Sequence, residues 1–352
     1  MKIANTPLRI EQYETVLFNA NLNPHGIPNS VKNALTSNIS SISKYPDIYY
    51  TKLRDAVADY AGSSPERTVL GNGSTDLLKL FISLVMPKKA LILVPGPSEY
   101  EKVLKSYNSE VEFYELKEAE EFVLNIDDLI SSLSDDLDMM IIANPNNPTS
   151  KKVAKADMEK LAAACDEKKI FLLIDEMYIE FLDDYKAYTS IPITDNYENM
   201  AVMRSVSKFF AVPGLRFAYA VINNPEYKEI IDIVTTKNNI ASLTAIAVTD
   251  MLRDTAYIED SQSTIHTERS LVYLAMSTSS TIHLFKPDAN FMLVKLLKED
   301  INAADVAAHC NQRGIIIRKC GDIRGLTDQY IRFCFMKPKQ NDLMVNTILE
   351  IV

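Results

Sequence analysis

Met139-Met-Ile-Ile-Ala-Asn-Pro-Asn-Asn-Pro-Thr149 is a run of five apolar residues without alternation, broken off by two Asn-Pro turns. A short unbroken apolar run of this kind reads as a strand buried on both faces of a sheet. The pattern recurs on either side. Ala90–Val94 stops at Pro95-Gly-Pro97, Ile170–Ile174 stops at Asp175-Glu176, and Met200–Met203 leads into Arg204-Ser205. Helical spacing lies between the runs, as in Met158, Leu161, Ala162 and Cys165, and a further apolar helix is expected over Leu77–Val85. Such alternation predicts an α/β domain with a mostly parallel sheet.

The character changes near Asp254. A long helix is expected over Tyr257–Met276 and a shorter one over Ala303–Gln312. Short strands are expected near Phe291–Lys295, Ile315–Arg318 and Tyr330–Phe335. The expected division is an N-terminal arm over 1–25, a large α/β domain over 26–253 and a smaller α+β domain over 254–352.

The chain has 352 residues, 47% of them hydrophobic, and a net charge of −10. That balance suits a folded globular protein and argues against a nucleic-acid surface, which needs concentrated Lys and Arg. The four cysteines lack CxxC spacing, so a reduced compartment without a metal site is expected. The start of the chain carries no apolar leader, and no run approaches the roughly 18 apolar residues of a membrane span. A soluble, cytoplasmic protein is expected.

The polar signals fall just behind the strand ends, where open α/β sheets bind ligands. In Ser205-Val-Ser-Lys208-Phe-Phe-Ala-Val-Pro-Gly-Leu-Arg216, Phe209 and Phe210 would surround the Lys208 amine with apolar surface and depress its pKa. Ser205, Ser207 and Arg216 suit a phosphate. Gly71-Asn-Gly73-Ser74-Thr75-Asp76 leads into a helix whose free N–H groups could cradle the same anion. Asp175 would be costly as a buried carboxylate without a partner, and a protonated ring nitrogen is such a partner. Tyr178 and Asn147 could bond a ring oxygen, and Tyr100 is placed to stack on an aromatic ring. In Tyr330-Ile-Arg-Phe-Cys-Phe335, Arg332 alternates with apolar neighbours and so projects from the opposite face.

In this order and spacing, Asn21-Leu-Asn-Pro-His-Gly26, Tyr45-Pro-Asp47, Gly71–Asp76, Asn144–Thr149, Asp175–Tyr178 and Ser207-Lys208 with Arg216 resemble the fold-type-I pyridoxal-phosphate (PLP) enzymes of aminotransferase class I/II. The resemblance covers nearly the whole chain. It implies an aspartate-aminotransferase-like large domain, with Lys208 carrying PLP as a Schiff base and Asp175 pairing with its pyridinium nitrogen. It further implies that Asn147 and Tyr178 touch the ring oxygen while Tyr100 stacks on the ring. Gly73, Ser74, Thr75, Ser205, Ser207 and Arg216 would hold the phosphate. Tyr45 would reach the cofactor of a second subunit, which makes a homodimer the expected assembly. Arg332, Arg318 and Asn23 would meet the substrate.

Within the class, the segments Arg204–Arg216 and Ile317–Leu326 look most like threonine-phosphate decarboxylases, and the general plan is equally similar to histidinol-phosphate aminotransferases. Ser150 and Ala218 stand where glycines are usual, and Lys237–Ser242 lacks the Trp-containing stretch of the decarboxylases. The expected reaction is therefore transamination of a small amino acid, with phosphorylated ones in range and decarboxylation as the alternative. A PLP-binding regulator would need an appended DNA-binding domain, for which no room is expected before Asn21.

Overall fold

The computed structural model describes residues 15–235 and 237–352; residues 1–14 of the expected N-terminal arm lie outside the described residues. Seven strands form the central sheet, in the spatial order Thr68–Gly71, Ala218–Ile222, Met200–Ser205, Phe171–Asp175, Met139–Ala143, Lys89–Val94 and Glu110–Glu115. Only Ala218–Ile222 runs against the others. The apolar runs are buried along their full length because helices cover both faces of the sheet. Register then aligns the strand ends. Asp175 lies level with Ala143 on one side and Met203 on the other, while Gly71 and Ser205 both lie opposite Ala218.

Sequence periodicity missed three strands of this sheet. Glu110–Glu115 is an edge strand, half-buried and rich in acidic residues, so it carries no apolar run. Thr68–Gly71 and Ala218–Ile222 are short, and the glycine and arginine motifs beside them mask their apolar character.

A second sheet of four strands takes residues from the last quarter of the chain, in the order Arg318–Lys319, Tyr330–Cys334, Phe291–Leu296 and Ile282–Leu284. The strand expected over Ile315–Arg318 is in fact two. Ile315–Ile316 leaves this sheet to pair in parallel with Val16–Leu17, and only Arg318–Lys319 pairs with Tyr330–Cys334. The long helix Thr255–Met276 packs against the C-terminal helix Pro338–Leu349 on the same side of the molecule.

Ser150 joins the two sheets. It is buried with φ 64°, a conformation that glycine adopts freely and serine does not. Its hydroxyl compensates by accepting a 2.8 Å bond from the Ala289 N–H, and its carbonyl accepts one from Asp288. The serine therefore exchanges backbone ease for a tie to the segment leading into Phe291–Leu296.

Candidate active site

A recess of about 340 Å³ opens at the aligned strand ends. Ser74 and Thr75 enter it from the first turn of the helix Ser74–Val85, Tyr100 from the helix Ser98–Ser106, and Asn147 from the turn after Met139–Ala143. Asp175 and Tyr178 come from the end of Phe171–Asp175, and Ser207, Lys208 and Arg216 from the segment after Met200–Ser205. Strands far apart in sequence thus bring one set of side chains together.

Asp175 is buried, and burial pushes its carboxyl up to about 6. The Tyr100 hydroxyl, 2.7 Å from Oδ2, and the Met177 N–H, 3.0 Å from Oδ1, offset that only in part. No cationic side chain pairs with it among the described residues. A buried acid in this state gains from a cation delivered by a ligand.

Lys208 is the complementary case. Burial, then the charge of Arg332, holds its amine below the usual lysine range; the Cys334 sulfur opposes them, and Arg216 adds a smaller push in the same direction as Arg332. The amine donates a 2.9 Å bond to the Ala20 carbonyl. An amine with a depressed pKa has more of the neutral, nucleophilic form at neutral pH.

The anion cradle lies between these groups and the helix Ser74–Val85. Gly73, at φ 98°, lies directly beneath the Arg216 guanidinium, and a β-carbon there would collide with it. Arg216 itself adopts a left-handed φ of 51° to place that guanidinium. Ser205 and Ser207 share a 2.8 Å hydroxyl bond, which presents Ser207 to the recess with Ser205 behind it. The Thr75 hydroxyl donates to Glu99, 2.5 Å away, so an incoming anion must compete with a carboxylate for that donor.

Arg332, on the strand Tyr330–Cys334, lies next to the recess, against its lining residue Asn147. Its Nη1 donates to Asn147 Oδ1 at 2.5 Å and its Nη2 to the Asn19 carbonyl at 2.9 Å. Three other expected residues lie elsewhere. Arg318 is held by Asp322, 2.7 Å from both carboxylate oxygens, and faces a separate groove. That pair forms locally, four residues apart, and neutralises the side chain outside the recess. Asn23 is a structural tie: its amide N–H₂ donates to Phe209 O and Ser261 Oγ, both at 2.7 Å, and its oxygen accepts from the His25 N–H. Tyr45 is 86% exposed, well away from the recess of its own chain.

Two features escaped the sequence reading. Glu176 and Arg204 form a fully buried ion pair at 2.9 Å, joined by Thr189 and the Ser190 N–H. It locks together the strand ends that carry Asp175 and Ser205. Asn21, two residues before Asn23, is buried and donates to the Tyr178 hydroxyl oxygen at 3.3 Å. Its place in the quoted Asn-Leu-Asn-Pro motif was the available signal, but only the fold distinguishes the two asparagines.

The set fits pyridoxal phosphate: an unpaired buried acid for a ring nitrogen, a depressed amine for an aldehyde, and a guanidinium with hydroxyls for a phosphate. Residues 13–348 match the family model described as aminotransferase class I and II. The chain is 29% identical to the threonine-phosphate decarboxylase of Salmonella typhimurium over 99% of this chain and 94% of that one. The crystal structure of the histidinol-phosphate aminotransferase from Clostridium acetobutylicum is 32% identical, with a TM-score of 0.89 over 96% of this chain and 98% of that one. That of the Sinorhizobium meliloti histidinol-phosphate aminotransferase, in complex with pyridoxal-5′-phosphate, shares the fold with a TM-score of 0.85 at 19% identity, over 96% and 92% of the two chains. With a site built for this cofactor on a sheet of this topology, the chain belongs to the aminotransferase class I and II family, as a pyridoxal-phosphate enzyme of the aspartate-aminotransferase-like fold.

Proposed function

We propose that the protein is an aminotransferase for a small amino acid, with phosphorylated amino acids within its substrate class. Lys208 would attach the cofactor, Asp175 would pair with its ring nitrogen, and Asn147 and Tyr178 would meet its ring oxygen. Tyr100 lies against the ring. Gly73, Ser74, Thr75, Ser205, Ser207 and Arg216 hold the phosphate. The bound cofactor supplies an aldehyde for amino groups and a ring that withdraws electrons from Cα. Arg332 would take the substrate carboxylate, and the Lys208 amine would move the Cα proton.

The observation that carries this reading is Arg332 bonded to Asn147 at the recess edge, with Arg318 neutralised outside it. A carboxylate gripped there is held in place while Cα–H stays open to Lys208. A decarboxylase needs its carboxylate released and a distal phosphate gripped instead, and the likeness to the Salmonella typhimurium enzyme favours that second reading. The test offers O-phospho-L-threonine with and without a keto acid. Product formation that depends strictly on the keto acid is expected; sustained carbon dioxide release without one would overturn the proposal.

A homodimer with a shared site belongs to the same proposal. Ile39, Ile42, Tyr45, Ile48 and Tyr49 are all exposed on one short stretch, an apolar surface that a second copy would cover. Four buried, free cysteines fit the cytoplasm. Tyr45→Phe should weaken cofactor retention severalfold while light scattering still reports the dimer mass. A fully active monomer would refute the shared site.

A further inference from the structure

The segment Val16–Asn23 is threaded through the site by its own backbone. The Phe18 carbonyl accepts from the Cys334 N–H at 2.8 Å, Asn19 from Arg332 at 2.9 Å, Ala20 from the Lys208 amine at 2.9 Å and Asn21 from Asn290 at 3.1 Å. The Asn23 N–H then donates to the Lys208 carbonyl at 3.1 Å. Asn21 stands in the middle of this strap with φ 54° and 1% exposure. Such a conformation is rare outside glycine but tolerated by asparagine. It turns the side chain toward Tyr178 while the carbonyls on either side reach Lys208 and Asn290.

We propose that Asn21 is a positioning residue of the reaction: by donating to the Tyr178 hydroxyl oxygen, it turns the phenolic proton into the recess, toward the cofactor's ring oxygen. The inference rests on the proposed contact between Tyr178 and that oxygen. A phenol has one proton to give and lone pairs to receive with. Once the amide N–H occupies the receiving side, the O–H points away from Asn21. Tyr178 lines the recess, and its hydroxyl has no other partner among the described residues. The Asn21 amide is equally uncommitted elsewhere: its oxygen is buried and takes no donor among the described residues. The Tyr178 and Phe291 rings pack in a T-shaped pair at a centroid distance of 4.9 Å, which restrains the phenol from swinging to another partner. Burial raises the Tyr178 pKa, and Arg332 followed by the Asn21 bond pulls it back, which also favours the phenol as donor.

A donor on the ring oxygen favours the ionised form of that oxygen. It therefore lowers the pH at which the lysine-bound cofactor loses its shared proton, a transition visible in the absorbance spectrum. The test is a pH titration of that absorbance in the loaded wild-type enzyme and in Asn21→Gly, Asn21→Asp, Tyr178→Phe and the Asn21→Gly/Tyr178→Phe double variant. Glycine keeps the positive φ and removes the amide; aspartate keeps the shape but can only accept, drawing the phenolic proton out of the recess. Tyr178→Phe should move the midpoint upward. Both Asn21 variants should move it the same way by about 0.3–1 unit, the range of one ordinary hydrogen bond. The double variant should match Tyr178→Phe alone, because Asn21 acts only through the phenol. Cofactor affinity of the cofactor-free protein, followed by fluorescence, should change little for Asn21→Gly. A shift with Tyr178→Phe but none with either Asn21 variant would overturn this proposal, as would additive shifts in the double variant. No shift with Tyr178→Phe would instead overturn the contact assigned to Tyr178.

Discussion

Lys208→Ala should lower turnover by about 10³-fold or more, the scale on which a positioned acid–base group acts, with the loss of covalent attachment added to it. Borohydride reduction of the wild type should fix the cofactor to a single peptide containing Lys208, and the variant should yield no labelled peptide. The fold should persist. The amine makes one bond, to the Ala20 carbonyl on the strap, so its removal costs only about 1 kcal/mol. A labelled peptide without Lys208, or a variant that keeps wild-type turnover, would contradict the assignment. Among the described residues no other lysine lines the recess.

Arg332→Ala should reduce kcat/KM by about 10²–10³-fold, as expected when one partner of a buried, hydrogen-bonded charge pair is truncated. Its bonds run to Asn147 Oδ1 and the Asn19 carbonyl, so the variant should also melt at a lower temperature. The lysine-bound absorbance of the cofactor should survive, since the partner proposed for Arg332 is the substrate rather than the cofactor. Arg332→Lys should rescue little, because a point charge cannot reproduce the planar fork that serves two acceptors. Arg332 also depresses Lys208 electrostatically, so in the cofactor-free variant the Lys208 pKa should move upward. Wild-type kcat/KM in the alanine variant would place the carboxylate site elsewhere.

What could be read from the chain was what short segments encode. The runs Met139–Ala143 and Ile170–Ile174 announce buried strands, and the polar residues directly after them must lie at one edge of the sheet if the strands are parallel. Asp175, Asn147, Tyr178 and Lys208 were assigned to that edge without any long-range information, and all four line the recess. Arg318 shows the limit. Its spacing after Ile315–Ile317 suggested the site, but a carboxylate four residues on captures it first. The Glu176–Arg204 pair is another: both side chains look like ordinary charges until the packing of adjacent strands buries them together. Asn21 and Asn23 look alike in the sequence, and partners more than a hundred residues away separate them: Tyr178 and Asn290 for Asn21, Phe209 and Ser261 for Asn23.

The strap also sets an order of events during synthesis. Val16–Leu17 has no strand to pair with until Ile315–Ile316 has been made, and the Phe18 and Asn19 carbonyls wait for Cys334 and Arg332. The central sheet needs nothing beyond Ile222. On a ribosome, where chains emerge at roughly 5–20 residues per second and domains fold as they appear, the sheet can close well before the strap has a place to dock. The strap, although made before the sheet, is therefore among the last segments to be fixed. A truncated chain that stops short of Tyr330 would carry Lys208 and Asp175 on a formed sheet and still lack the Cys334 and Arg332 donors that hold the Phe18 and Asn19 carbonyls of the strap.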